Sequence, residues 1–386
     1  MPPNSGIGAP DESTVDALTA RGTLPTGLSG AFVGIGPHSD IPSAGLGEVA
    51  AHDGVVHSVH LDSAGTISYR SRWVITDTVA KRLGVNRSPG PRIAGPDVVA
   101  GSIVAFGGSI LAFGDGSLAY ELTADLETLR RVDLAGHARS LVAFPKRDPI
   151  GGDLHVLAVS ASGEQAHVAI SAGALTRTCH PITGAPTWIS DLAITRDRLV
   201  FVADGFVGVA PRDGEAHITW IPTGRGAPHP VHAHDDRDDI VLHCITPSLE
   251  RWTLSPAPGT VHTEVLDGTA RRFAKTNGRS IDVVPSVLWT IGDGTLRRHD
   301  LLTTGRVERS FGDAQPGDLV FVDDPSRPDE ADGGWLVGFV HSPAGHGTDL
   351  VVLDAADITS PPVASVRIPR QIPRGLHSTW IPSADQ

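Results

Sequence analysis

Apolar and polar residues alternate with a period of two along much of this chain. V-H-S-V-H-L at 56–61 is a clear example, and such a pattern marks a strand with one face toward a core. Comparable runs recur from one end to the other: GAFVGIG, VVHSVHLD, TISYRSRWVI, SIVAF, SILAF, LHVLAVS, HVAIS, LAIT, RLVFVAD, DIVLHCIT, SVLWTI, WLVGFVH and DLVVLDA. Between them lie DSAGTI, FGGSI, FGDGS, PRDGEA and IGDGTL, whose Gly and Asp suit tight hairpin turns. No window of about twelve residues carries a helical period. ADLETLRRVDL at 124–134 comes nearest and reads better as a strand connection. Many short strands at regular spacing predict a sandwich, a barrel or a propeller, and a repeated strand–turn–strand unit favours the propeller.

Composition agrees with this picture. The 386 residues include 44 Gly and 30 Pro, which break a chain into short segments. No linker divides the chain after residue 25, so residues 22–386 read as one β-propeller domain, and residues 1–21 read as a disordered lead without a signal-peptide pattern. The net charge of −13 argues against nucleic acid, which attracts basic faces. It argues equally against adhesion to anionic lipid. No apolar run is long enough for an integral membrane segment. Cys179 and Cys244 form no metal spacing or disulfide framework and fit a reducing cytoplasm. No phosphate loop and no nucleophile elbow occurs.

Four ordered segments resemble the carotenoid cleavage oxygenase family. GTLPTGLSGAFVGIGPH resembles its P-x-x-L-x-G-x-x-x-R-x-G-P opening, and HDGVVHSVHLDSAGTISYRSRWVIT its F-D-G-D-G-M-x-H…Y-x-x-R-x-V-x-T segment. SILAFGDGSLAYELTADLETL resembles L-L-A-L-W-E-G-G-x-P-Y-x-L…T-L-E-T, and DLVVLDAADITSPPVASVRIPRQIPRGLHSTWI the long C-terminal pattern. The resemblance implies an all-β, seven-bladed β-propeller with loops forming a dome over an axial site. It also implies an iron held there by four histidines, glutamates behind three of them, and oxidative cleavage of an alkene in a long apolar substrate.

This chain departs from that pattern at the ligand positions. In AFPKRDPIGGDL, Phe144 stands where the first histidine is expected, and in ISDLAIT, Ser190 stands where the second is expected. A phenyl ring has no lone pair to give a metal, and a neutral hydroxyl is a poor partner for Fe(II). In PHPVHAHDD, His229 matches the third position, with His232 where asparagine is usual. In PRGLHSTW, His377 matches the fourth. Asp115 replaces one supporting glutamate, Arg272 lies near another, and Glu330 matches the third. Weakly bound Fe(II), or no cofactor, is therefore the expectation. Asp115, His232 or His234 could still complete a 2-His-1-carboxylate or three-His set. Spacing along a strand suggests one histidine of HPVHAHDD inward and two near the surface, and DDRDD reads as a solvated turn. His52, His57 and His60 read as packing and turn residues.

The expected catalytic set is His229, His377, Ser190 and Asp115, with Phe144, Trp188, His232 and Trp380 shaping a substrate pocket. The partner is an apolar small molecule, and the chain is expected as a monomer or dimer. Three functions follow from the resemblance and its departures: an enzyme repurposed for isomerisation or cyclisation in secondary metabolism, an Fe(II)-dependent alkene-cleaving dioxygenase with altered ligands, and a non-enzymatic carrier of an apolar ligand.

Overall fold

A computed structural model describes residues 12–38, 52–93, 97–136, 138–172, 176–212, 217–269, 271–281, 283–343 and 347–383. It is nearly all β. Its strands form seven sheets of four to six strands, the seven blades that the resemblance implies. Each of the thirteen alternating segments falls on a strand.

The local chemistry explains the strands. In Ile67–Trp73, Ile67, Tyr69, Ser71 and Trp73 are buried while the residues between are partly exposed, as a pleat requires. Gly30–Pro37, paired with Gly54–Leu61 and His377–Pro382, is buried throughout because both its faces are packed: Val33 and Ile35 lie against Val56 and Tyr120, and Phe32, on the other face, meets the Phe339 ring at 4.9 Å. The FGGSI turn has Gly107 and Gly108 at φ 61 and 79, the left-handed pair of a two-residue hairpin. PRDGEA lies largely outside the described residues.

The chain forms two compact units, residues 1–143, 337–352 and 362–386, and residues 144–336 and 353–361. In the first, Val33, Ile35, Val56, Val99 and Ile381 pack with Tyr120. Asp97 sits beneath, accepting hydrogen bonds from Ser117, Tyr120, Arg131 and the Asp77 backbone. In the second, Val200, Val207, Leu242, Leu254 and Trp252 form the core, and the Trp252 indole donates to Glu250 at 2.8 Å.

Two differences from the sequence reading have local causes. Residues 1–11 lie outside the described residues, but the lead is structured from residue 12. Ser13–Val15 and Ala20–Gly22 are strands. Arg72 donates to the Ser13 carbonyl at 3.0 Å and to Thr14 at 2.8 Å, and these bonds tie the lead down. A helix, α1, spans Asp77–Leu83. The Thr76 hydroxyl caps it, Asp77 occupies its first turn, Lys81 and Arg82 its last, and Gly84 follows at φ 68, a full set of start and stop signals. Among the described residues no helix is long and apolar enough to cross a membrane.

Candidate functional site

Phe144, Ser190 and His229 all belong to the second unit. His229 begins the strand His229–Asp236 and pairs with Ile245. The Phe144 ring meets the His229 ring edge-on, with centroids 6.3 Å apart and planes at 76°. Ser190, in the strand Ile189–Ile194, donates to the Val202 carbonyl at 3.4 Å. Two residues that the sequence reading left unassigned complete this group. Lys146, two residues after Phe144, places its ammonium 2.9 Å from the carboxylate of Asp191, the neighbour of Ser190.

The electrostatics follow from this placement. Burial lowers the pKa of His229; the Asp191 charge opposes that shift and the Lys146 charge adds to it. His229 is therefore a neutral imidazole near pH 7, able to accept a proton at one nitrogen and donate one at the other.

Just past Phe144 and His229 the second unit forms a half-open cavity of about 220 Å³. Pro145 and Lys146 line it from one side, Pro230, Val231 and His232 from another. His232 donates from Nε2 to the Val283 carbonyl at 3.2 Å. Burial, then His234, lowers the His232 pKa to about 4.

The strand does not sort its histidines as alternation predicts. His232 and His234 are both buried, with ring centroids 5.5 Å apart, and His243 from the next strand lies 6.3 and 6.2 Å from them. A bulge between Pro230 and His232 breaks the alternation of the sequence reading. Pro230, which cannot donate to the ladder, was the available signal.

The remaining candidates are placed separately. In the first unit, His377 opens the strand His377–Pro382 opposite Ile35. Trp380, three residues on in an unbroken register, lies on the opposite face from His377. Its indole covers Gly30, where an added Cβ would lie 2.9 Å from the ring. Asp115 accepts a hydrogen bond from the Ala143 backbone at 2.9 Å, and Ser102 donates to the Ala143 carbonyl. Asp115 thus holds the backbone immediately before Phe144. Trp188 is 55% exposed, and Glu330 is exposed. His57 is buried against Tyr69, 2.9 Å from its hydroxyl.

The residues present do not fit a four-imidazole iron centre. Where a ligand is expected, the Phe144 ring lies against His229 and offers no lone pair. Among the described residues no three His, Cys, Asp or Glu groups are arranged to hold a metal ion.

Seven antiparallel blades with this frame of segments define the carotenoid oxygenase class of β-propellers. The family model for retinal pigment epithelial membrane protein matches residues 9–226 and 206–382, and the chain belongs to that family, the carotenoid oxygenases. It is 26% identical to a carotenoid cleavage oxygenase of Mycobacterium tuberculosis, over 96% of this chain and 95% of the relative. That alignment runs over 485 positions, more than the 386 residues here, so the relative carries segments this chain lacks. An isoeugenol monooxygenase of Pseudomonas putida is 23% identical, over 96% and 95% of the two chains. A solved structure of the apocarotenoid oxygenase of Synechocystis superposes with a TM-score of 0.84 at 21% identity, covering 97% of each chain.

Proposed function

We propose that this chain is a carotenoid-oxygenase-family enzyme that works without the family's iron, rearranging an elongated apolar polyene or polyketide-like substrate by isomerisation or cyclisation in secondary metabolism. The observation that carries this reading is the Phe144 ring lying edge-on to a neutral His229. A phenyl ring in place of a metal ligand leaves an apolar wall beside one acid–base group.

The chemistry needs no external oxidant. His229 takes a proton from a carbon next to the conjugated system, the double bonds shift, and the imidazolium returns the proton at another carbon. In a cyclisation, the same histidine acts from its minor imidazolium form: it gives its proton to one end of the polyene, a carbon–carbon bond forms, and the now neutral ring takes a proton from the closed product. The Phe144 π-face favours positive charge on the substrate during that step. Lys146 and Asp191 set the field around the imidazole, and the Ser190 hydroxyl can turn from the Val202 carbonyl to donate to a substrate oxygen. Orientation of a flexible chain and exclusion of water supply the rest.

The test is turnover of a panel of linear polyene aldehydes and acids by protein stripped of metal and held under nitrogen. The proposal expects products that keep every carbon in one molecule, and loss of activity in His229→Ala. One iron per chain, lost together with activity in that variant, would sink the proposal, as would labelled dioxygen appearing in the product. Either result would favour an Fe(II)-dependent cleavage with altered ligands, the reading closer to the names of the mycobacterial and Pseudomonas relatives. Binding of every polyene with turnover of none would favour a carrier.

A further inference from the structure

The 220 Å³ cavity beside His229 has a polarity that the acid–base reading does not use. Among the described residues, its lining holds two cations, Lys146 and Arg147, with the hydroxyl residues Thr276 and Ser280 and no carboxylate. Asp191 already neutralises Lys146. Arg147 sits on the short strand Lys146–Arg147, exposed and opposite Leu154, with no acidic partner among the described residues. Much of the remaining wall is aliphatic, with Ala193, Ile194, Val231 and Ile281 contributing.

An unpaired guanidinium at the edge of an aliphatic hollow matches an amphipathic monoanion. Its planar fork takes a carboxylate through two parallel hydrogen bonds, while the wall takes the hydrocarbon. Size narrows the choice. A dry cavity of about 150 Å³ admits a benzene ring, so this one has room for a ring plus a carboxylate, roughly ten non-hydrogen atoms. We propose that this cavity binds a small aryl or branched-alkyl monocarboxylate, with its carboxylate on Arg147 and its hydrocarbon against Ile194, Val231 and Ile281. This site is independent of the proposed rearrangement, because it concerns binding alone.

The experiment is calorimetric titration of the full chain with benzoate, with cinnamate, and with benzamide as the uncharged control. A dissociation constant on the order of 1 mM is expected for benzoate, with benzamide at least tenfold weaker. Arg147→Gln should weaken benzoate about tenfold and leave benzamide unchanged. Its side chain is exposed, so the variant should fold, which a thermal melt checks. Val231→Phe narrows the cavity from a partly exposed position and should weaken both acids. A free small acid and the acid end of a longer chain share this chemistry. Displacement of benzoate by a polyene acid, but not by the matching polyene alcohol, assigns the cavity to the long chain's end, and its absence assigns it to the small acid. The proposal is overturned if benzoate and benzamide bind alike, if Arg147→Gln changes nothing, or if neither acid binds at about 20 mM. None of these results depends on turnover, so the site and the proposed reaction fail separately.

Discussion

Acid should destabilise this protein through its buried histidines, and the pair His155–His167 allows the effect to be measured. The two rings stack on adjacent strands with centroids 5.1 Å apart, and His155 Nδ1 lies 2.9 Å from His167 Nε2. That bond needs an N–H on one ring and a lone pair on the other, so the accepting ring must be neutral. Burial, then the Arg212 charge, lowers the His155 pKa to about 4. Burial, then His155 itself, lowers that of His167 to about 3. Both folded values lie below the unfolded value near 6.5, so the unfolded chain takes up protons that the folded chain refuses. Stability is therefore complete above about pH 6.5 and falls as the pH drops toward the folded values. One unit below 6.5, each ring costs about 1.4 kcal/mol, and the pair about 3 kcal/mol. His167→Gln removes one titrating group and keeps an amide for His155. Urea unfolding followed by tryptophan fluorescence, near pH 8 and near pH 5.5, should show the loss of stability shrinking by about 1.4 kcal/mol in the variant. An unchanged pH dependence would refute the argument, because it would mean that the ring titrates normally in the folded state.

Four further outcomes are expected. Phe144→His with Ser190→His should raise iron affinity over the parent chain, read by metal analysis after dialysis; no gain would mean that these positions no longer face a common point. Asp97→Asn should cost about 3 kcal/mol in a urea titration, because it removes the main charge partner of Arg131, which is 1% exposed. Asp115→Ala should cost about 1–2 kcal/mol by losing the bond to the Ala143 amide, and Asp115→Asn, which keeps an acceptor oxygen, should restore most of it. In Gly54→Ala the new Cβ would lie 1.7 Å from the Val99 carbonyl oxygen, so a loss of about 3 kcal/mol or more is expected; Gly65→Ala, where the Cβ meets nothing, should cost only about 1 kcal/mol for its positive φ, and thermal melts compare the two.

Fold and site differed in how much could be read from the sequence. Alternation such as I-S-Y-R-S-R-W is itself the inside–outside pattern of a strand, so the segments carrying it could be placed on strands from sequence. The helix at Asp77–Leu83 was missed because seven residues are too few for a period, although Thr76, Asp77, Lys81, Arg82 and Gly84 spell its ends. The histidines of HPVHAHDD were assigned to the wrong faces because one bulge shifts every side chain after it. Phe144 and Ser190 stood out because they interrupt a family frame. Lys146 and Asp191 did not: an ion pair between residues 45 positions apart leaves no trace in either segment alone.

One pairing bears on how this protein is made. The strand Gly30–Pro37 has its second neighbour in His377–Pro382, at the far end of the chain, and Ala20–Gly22 likewise pairs with Ala364–Ile368. A ribosome releases residue 30 long before it releases residue 377. Throughout that interval the early strand carries a bare edge of unpaired N–H and C=O groups able to template pairing with other chains. The protein thus depends on the strand His377–Pro382 to cover the strand Gly30–Pro37, and a message truncated near residue 370 would yield a product prone to aggregation rather than a shorter enzyme.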